Sequence, residues 1–91
     1  MIEPYHNKVA INLKKANGQL KRVEKMIDEQ KYCLDIAQQI NAAIGLLKQA
    51  NSYIMESHML SCGVEKLKSK DKEERMEFVK QMMQTFSITN R

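Results

Sequence analysis

From Asn7 to about Glu29 the apolar residues fall at Val9, Leu13, Ala16, Leu20, Val23 and Ile27, alternately four and three apart. That spacing predicts an amphipathic helix with a near-heptad stripe. Its other face carries Lys8, Lys14, Lys15, Lys21, Arg22 and Lys25, with Glu24 as the main acid before Asp28. A polar joint, Asp28-Glu29-Gln30-Lys31, precedes a second periodic segment from about Cys33 to Cys62. There Leu34, Ala37, Ile40, Ala43-Ile44, Leu47, Ala50-Asn51, Ile54-Met55 and Met59 recur at helical spacing. Gly45 is tolerable inside it at about 1 kcal/mol relative to Ala, and Gly63 reads as a helix stop. After a lysine-rich connector, Lys66 to Lys72, a third helix is predicted over about Asp71 to Phe86. Its stripe is Met76, Val79, Met82-Met83 and Phe86. Acids in its first turn suit the helix dipole. Ser87 to Arg91 are expected to fray. The prediction is an all-α chain of three helices (7–29, 33–62 and 71–86), the second unusually long.

Ninety-one residues suffice for one domain, 1–91. Hydrophobic residues make up 43%, which argues against wholesale disorder. No apolar run approaches the roughly 20 residues of a membrane span. The start, Met1-Ile2-Glu3-Pro4, lacks the basic and apolar regions of a secretory signal, so a cytoplasmic protein is expected. In that compartment two cysteines are expected as reduced thiols rather than a disulfide. So small a core makes oligomerisation a natural remedy.

Chemistry can gather at Cys33, His58 and Cys62. His58 and Cys62, four apart on one predicted helix, share a face and make half of a metal site. Cys33 completes a set of two sulfurs and one nitrogen, which suits Cu(I) or Zn(II). The competing reading is structural, because free cysteine often serves as a small buried hydrophobe. Geometry constrains the metal reading. A helix over 33–62 separates its ends by roughly 43 Å, so one chain cannot bring both cysteines to one ion. Two chains packed antiparallel can, with Cys33 from one and His58 and Cys62 from the other. His6 reads as a solvated terminal side chain. Lys14, Lys15, Lys21, Arg22 and Lys25 read either as a solvated face or, repeated in an oligomer at formal charge +4 per chain, as a nucleic-acid surface. No phosphate loop, nucleophile elbow or zinc-protease motif is present, so an enzyme is not expected.

These residues resemble the CsoR/RcnR/FrmR family of small helical bacterial repressors, most closely the copper-sensing CsoR type. Leu13-Lys14-Lys15-Ala16-Asn17-Gly18-Gln19-Leu20-Lys21 is similar to the family's Leu-x-Arg-x-x-Gly-Gln segment. Tyr32-Cys33 with Asp35 and Gln38-Gln39-Ile40 matches the start of the family's long helix. Glu56-Ser57-His58-Met59-Leu60-Ser61-Cys62 matches its end. The resemblance implies an antiparallel homodimer pairing into a disc-like homotetramer, operator DNA as partner, and release of that DNA when an effector binds. Cys33, His58 and Cys62 form the Cu(I)-type ligand pattern. The alternatives on this scaffold are a nickel or cobalt sensor, or a persulfide or aldehyde sensor. A copper-binding helical protein without DNA regulation is a further alternative. In similar copper sensors a Tyr beside the first Cys and a Glu on the last helix support the histidine. Tyr32 fits the first role, and Glu77 stands nearest to the second, about one residue out of register. Ile44 stands where the family commonly has an Arg, several first-helix Arg positions are Lys, and Arg22 stands where Gly is frequent.

Overall fold

In the computed structural model, which describes residues 1–87, helix α1 spans Tyr5–Asp28 and α2 spans Cys33–Leu60. A short α3, Cys62–Leu67, and a final α4, Lys72–Ser87, complete an all-α chain with no strand among the described residues. Of Ser87 to Arg91, where fraying is expected, Ser87 is the last residue of α4, and residues 88–91 lie outside the described residues. No helix described is long and apolar enough to cross a membrane.

The joint between α1 and α2 is closed by backbone geometry. Gln30 adopts φ 55°, and its N–H donates to the Ile27 carbonyl at 3.0 Å while the Lys31 N–H donates to Met26 at 3.0 Å. This pair of bonds is the Schellman ending, whose left-handed position is ordinarily glycine. A side chain there is strained by roughly 1–2 kcal/mol. Gln30→Gly is therefore expected to stabilise the chain by about 0.5–1 kcal/mol, net of its looser unfolded state. Thermal unfolding reads this out, and an unchanged or lower midpoint would contradict it.

α1 and α2 pack antiparallel, but not along the stripes that large apolar residues suggest. The positions of α1 turned toward α2 are Val9, Asn12, Ala16 and Val23, all buried. From α2 they are Ala43, Ala50 and Ser57, again buried and seven apart. Small side chains let the two backbones come close, and polar groups set the register. The Asn12 Nδ2 donates to the Leu46 carbonyl at 3.2 Å and to Gln49 Oε1 at 2.9 Å. The Ile2 N–H donates to Ser57 Oγ at 3.1 Å, with Ser57 only 1% exposed. Leu13, Leu20 and Ile27 of the expected first stripe remain 44–56% exposed, and Leu34, Ile40, Ile44 and Leu47 are likewise uncovered.

α4 also departs from its expected stripe. Phe78 and Phe86 are buried and Met82 is half-buried between them, while Met76, Val79 and Met83 are exposed. Asp71 caps this helix by accepting the Glu73 N–H at 3.0 Å. The chain measures 59 × 26 × 12 Å, one helix deep, with a radius of gyration of 17.4 Å. A compact domain of this length has a radius near 12 Å. One chain alone leaves much of its apolar surface without a second layer.

Candidate metal centre

Cys33 is the first residue of α2, directly after Tyr32, and both side chains are exposed. His58 sits in the last turn of the same helix, half-buried. At 1.5 Å per residue the two stand roughly 38 Å apart. Among the described residues, no group of three or more His, Cys, Asp or Glu side chains gathers where it could hold a metal ion. Both cysteines are free and exposed rather than buried as small hydrophobes.

The second helix ends before Cys62, where a continuous helix was expected. Ser61 leaves helical geometry at φ −117°, ψ −95°. Its hydroxyl donates to the Ser57 carbonyl at 2.7 Å, and its N–H turns to His58 at 3.3 Å. The hydroxyl takes the carbonyl that a helical N–H would use, a competition typical of serine. Cys62 then opens α3, so His58 and Cys62 stand on two elements that meet at a bend.

Gly63 is not the helix stop that its position suggests. It lies inside α3, buried, where a Cβ would come 3.0 Å from the His58 carbonyl oxygen and 3.1 Å from the Phe78 ring. Glycine here permits close approach of α3, α2 and α4. The carbonyl belongs to backbone and cannot swing aside. Gly63→Ala is therefore expected to cost about 1–3 kcal/mol. Equal unfolding midpoints for the two chains would contradict that packing.

Phe78 meets the histidine. Its ring centroid is 5.5 Å from that of His58, with 38° between the planes. Beside them a cavity of about 220 Å³ is lined by Ile54, Gln81, Met82 and Thr85 among others. Glu77, the expected carboxylate support, is exposed and lines a separate groove of α4 with Leu67, Met76 and Met83. Glu74, in the first turn of α4, accepts from Ser69 at 2.9 Å and faces Lys66 at 3.7 Å. Tyr32 lies at the other end of α2, beside Cys33. Phe78 escaped the sequence reading because its neighbours Met76 and Val79 carry an equally good spacing. The i, i+4, i+8 series Phe78, Met82, Phe86 is the signal that could have found it.

The opening residues lie against the His58 end of α2. The rings of Tyr5 and Tyr53 are 6.4 Å apart, and Lys8 Nζ stands 5.7 and 5.3 Å from their centroids. Desolvation, then a hydrogen bond to Glu56 and its charge, push the Tyr5 hydroxyl above its ordinary value of 10.0. His6 is exposed in the first turn of α1.

Lys14, Lys15, Lys21, Arg22 and Lys25 are all exposed along α1. They form two strips. At about 100° per residue, Lys14, Lys21 and Lys25 share one face. Lys15 and Arg22 lie about 90° round from it, beside the groove with α2. Lys25 also faces Glu29 at 3.8 Å, an exposed pair of little energetic weight.

The most informative pattern lies on α2. Ile36, Ala43, Ala50 and Ser57 face α1. About 80° round the helix, a second series runs Cys33, Ala37, Ile40, Ile44, Leu47, Asn51, Ile54 and His58. Its spacing is four, three, four, three, four, three, four. Ile40, Ile44 and Leu47 in its middle are 40–45% exposed. Cys33 and His58 thus terminate one largely apolar seam, uncovered through its middle and half-buried against Phe78 at its Ile54 and His58 end.

The profile of the metal-sensitive transcriptional repressor family matches residues 5–87, and the chain belongs to that family. It is 29% identical over 68 residues to the copper-sensing transcriptional repressor CsoR of Bacillus subtilis, covering 75% of this chain and 67% of that protein. It is 32% identical over 53 residues to the copper-sensing transcriptional repressor RicR of Mycobacterium tuberculosis, covering 58% and 55%. With the CsoR of Mycobacterium ulcerans it shares 32% over 56 residues, covering 60% and 48%. The chain thus spans about half the length of these mycobacterial relatives. No solved structure gives a significant match.

Proposed function

We propose that this chain is a Cu(I)-responsive transcriptional repressor whose metal site forms between two copies. The observation that carries the reading is the position of Cys33 and His58 at opposite ends of one seam whose middle, Ile40, Ile44 and Leu47, is uncovered. A second copy laid antiparallel, with Cys33 opposite its His58, sets Ala37 opposite Ile54, Ile40 opposite Asn51 and Ile44 opposite Leu47. Every seam residue then meets another seam residue, as a self-complementary two-fold interface requires. Ile44, standing where relatives commonly have an Arg, falls at the centre of this seam and away from the basic strips.

The residues fit copper. Two free cysteines and one imidazole are a soft donor set, which favours Cu(I) over Ni(II). Cys33 supplies one sulfur from one protomer, and His58 and Cys62 supply nitrogen and sulfur from the other. The metal supplies a cross-link between chains, biasing the assembly toward one packing. Phe78 and Gly63 hold the backbone and ring of His58 against α4, so displacement of that residue is felt by the last helix. Operator DNA is bound by the cations of α1 in the metal-free state, and Cu(I) weakens that binding. Such coupling is reciprocal, so DNA weakens Cu(I) binding by the same factor. The dimers assemble further to tetramers, as the exposed stripe of α4 and the thin shape of the chain favour. A repressor of this type acts in the cytoplasm and is not an enzyme.

An anaerobic Cu(I) titration against a chelator, with duplex binding followed at fixed salt, tests the reading. One tight Cu(I) per chain with release of DNA is expected. Tight copper without DNA binding in either state would reduce the protein to a copper carrier. A response to Ni(II) or persulfide instead of Cu(I) would move the effector assignment.

A further inference from the structure

We propose that Phe78 is the residue that makes this site choose Cu(I) over Zn(II), by withholding a fourth ligand. This deepens the copper reading and rests on Cys33, His58 and Cys62 as the ligands. Two sulfurs and one imidazole nitrogen suit either ion. The ions differ in how many ligands they require. A protein site that holds Zn(II) firmly is tetrahedral, with a further Cys, His, Asp or Glu in the fourth position. Cu(I) is soft and is satisfied by three such donors. What stands beside the three therefore decides between the ions.

Position 78 is where α4 could supply the fourth. The Phe78 ring centroid lies 5.5 Å from that of His58. Its Cζ lies 3.1 Å from where a Gly63 Cβ would be, and Gly63 directly follows Cys62. The side chain thus reaches into the bend between the two ligand-bearing residues. Histidine and glutamate are about as long as phenylalanine, so either would bring a nitrogen or an oxygen to that bend. Phenylalanine brings only carbon, and its buried ring occupies the space.

The carboxylates around α4 are turned elsewhere. Glu73 and Glu77 line the outer groove with Met76 and Met83. Glu74 accepts from Ser69, and Asp71 from the Glu73 N–H. Glu56, two residues before His58, takes the Tyr5 hydroxyl. Among the described residues, no carboxylate joins His58 and Cys62 in a group that could hold a metal ion. Asp35 lies on the face of α2 opposite Cys33, about 160° away round the helix, so a second copy does not bring it in with its sulfur.

The void beside His58 has the same character. It measures about 220 Å³, and apart from His58 none of its lining side chains carries a charge. Ile54, Phe78 and Phe86 make it mostly apolar, and Gln81 and Thr85 are neutral. Met82 offers a thioether, which is not among the usual Zn(II) ligands. Water finds few partners there, so solvent is poorly placed to complete a tetrahedron.

Full-length protein is measured anaerobically. Chelator competition gives the affinities for Cu(I) and Zn(II), and the visible spectrum of bound Co(II), which shares the geometry of Zn(II), reports coordination. Phe78→His keeps an aromatic ring and adds a donor. It is expected to raise the ratio of Zn(II) to Cu(I) affinity at least tenfold and to give Co(II) the intense bands of a tetrahedral site. Phe78→Glu is expected to act in the same direction. Phe78→Leu, apolar and without a donor, is expected to keep the ratio within about threefold of the parent. In the parent, added imidazole should shift the Co(II) bands, because the protein leaves a position open, and in Phe78→His it should not. A ratio within twofold of the parent in both donor variants, at parental assembly mass, overturns the proposal. So does an equal rise in Phe78→Leu, which would make bulk rather than the missing donor the cause. If the donor variants fail to assemble, the parent decides. Tetrahedral Co(II) bands that imidazole does not move would show that the protein already supplies a fourth ligand, and overturn the proposal, whereas bands that shift uphold it. A parent without tight Cu(I) binding fails the copper reading itself, a result distinct from failure of the role given to Phe78.

Discussion

A Cys33→Ala chain is expected to bind DNA as the parent does and to lose its response to copper. Cys33 is exposed at the start of α2, far from the strips of α1 that carry the cations, so its removal leaves the DNA surface intact. The sulfur is one of three proposed ligands. Losing a supporting hydrogen bond near a metal typically costs about 10–100-fold in affinity, and losing a ligand costs more. Coupling between effector and DNA commonly amounts to about 5–150-fold. In Cys33→Ala the ratio of DNA affinities with and without Cu(I) is expected to fall to within about twofold of unity. The mass of the assembly should not change, because the cysteine contributes little apolar area to the seam. Fluorescence anisotropy of labelled duplex reads this directly. Full derepression by copper in the variant would remove Cys33 from the site.

Leu47→Lys is expected to break the assembly. Leu47 sits near the middle of the uncovered seam, and the antiparallel pairing sets it opposite Ile44 of the partner subunit. Two-fold symmetry places two such lysines close together in an apolar layer. Each loses water without gaining a partner, a cost of several kcal/mol for an unpaired charge. The expected outcome is a monomer at concentrations where the parent is oligomeric, seen by sedimentation. Tight three-ligand copper binding should vanish with it, although Cys33, His58 and Cys62 are all still present. Leu47→Met, of similar volume, should keep both properties. A dimeric Leu47→Lys chain with normal copper affinity would place the interface elsewhere.

Much of this architecture is visible in residue spacing, and what is not has physical causes. The helical periods of 7–29, 33–62 and 71–86 predict an all-α chain, and the described residues form helices without strands. Periodicity does not say which apolar stripe faces inward. α2 carries two stripes, and the larger side chains advertise the outer one. The inner contact is made by Ala43, Ala50 and Ser57, chosen by close approach rather than by hydrophobicity. Asn12 was invisible for the same reason: a polar residue at a buried position gains its place from Leu46 and Gln49, which no spacing announces. The bend at Ser61 depends on one hydroxyl competing for a carbonyl, and a local sequence of good helix formers conceals it. Cys33, His58 and Cys62 stand out because cysteine and histidine are rare here and chemically distinct. Phe78 does not, since its importance rests on lying beside His58 in space.

Mixing two defective chains tests the shared metal site most directly. Neither Cys33→Ala nor His58→Ala alone should hold Cu(I) tightly. In a dimer of one of each, Cys33 of the His58→Ala chain faces His58 and Cys62 of the Cys33→Ala chain, and one site is whole. Random pairing makes half of the dimers mixed, each with one intact site of two, so about a quarter of the parent's tight copper sites should return on mixing. If the ligands come from a single chain, mixing restores none, and the account of an intersubunit copper site is wrong.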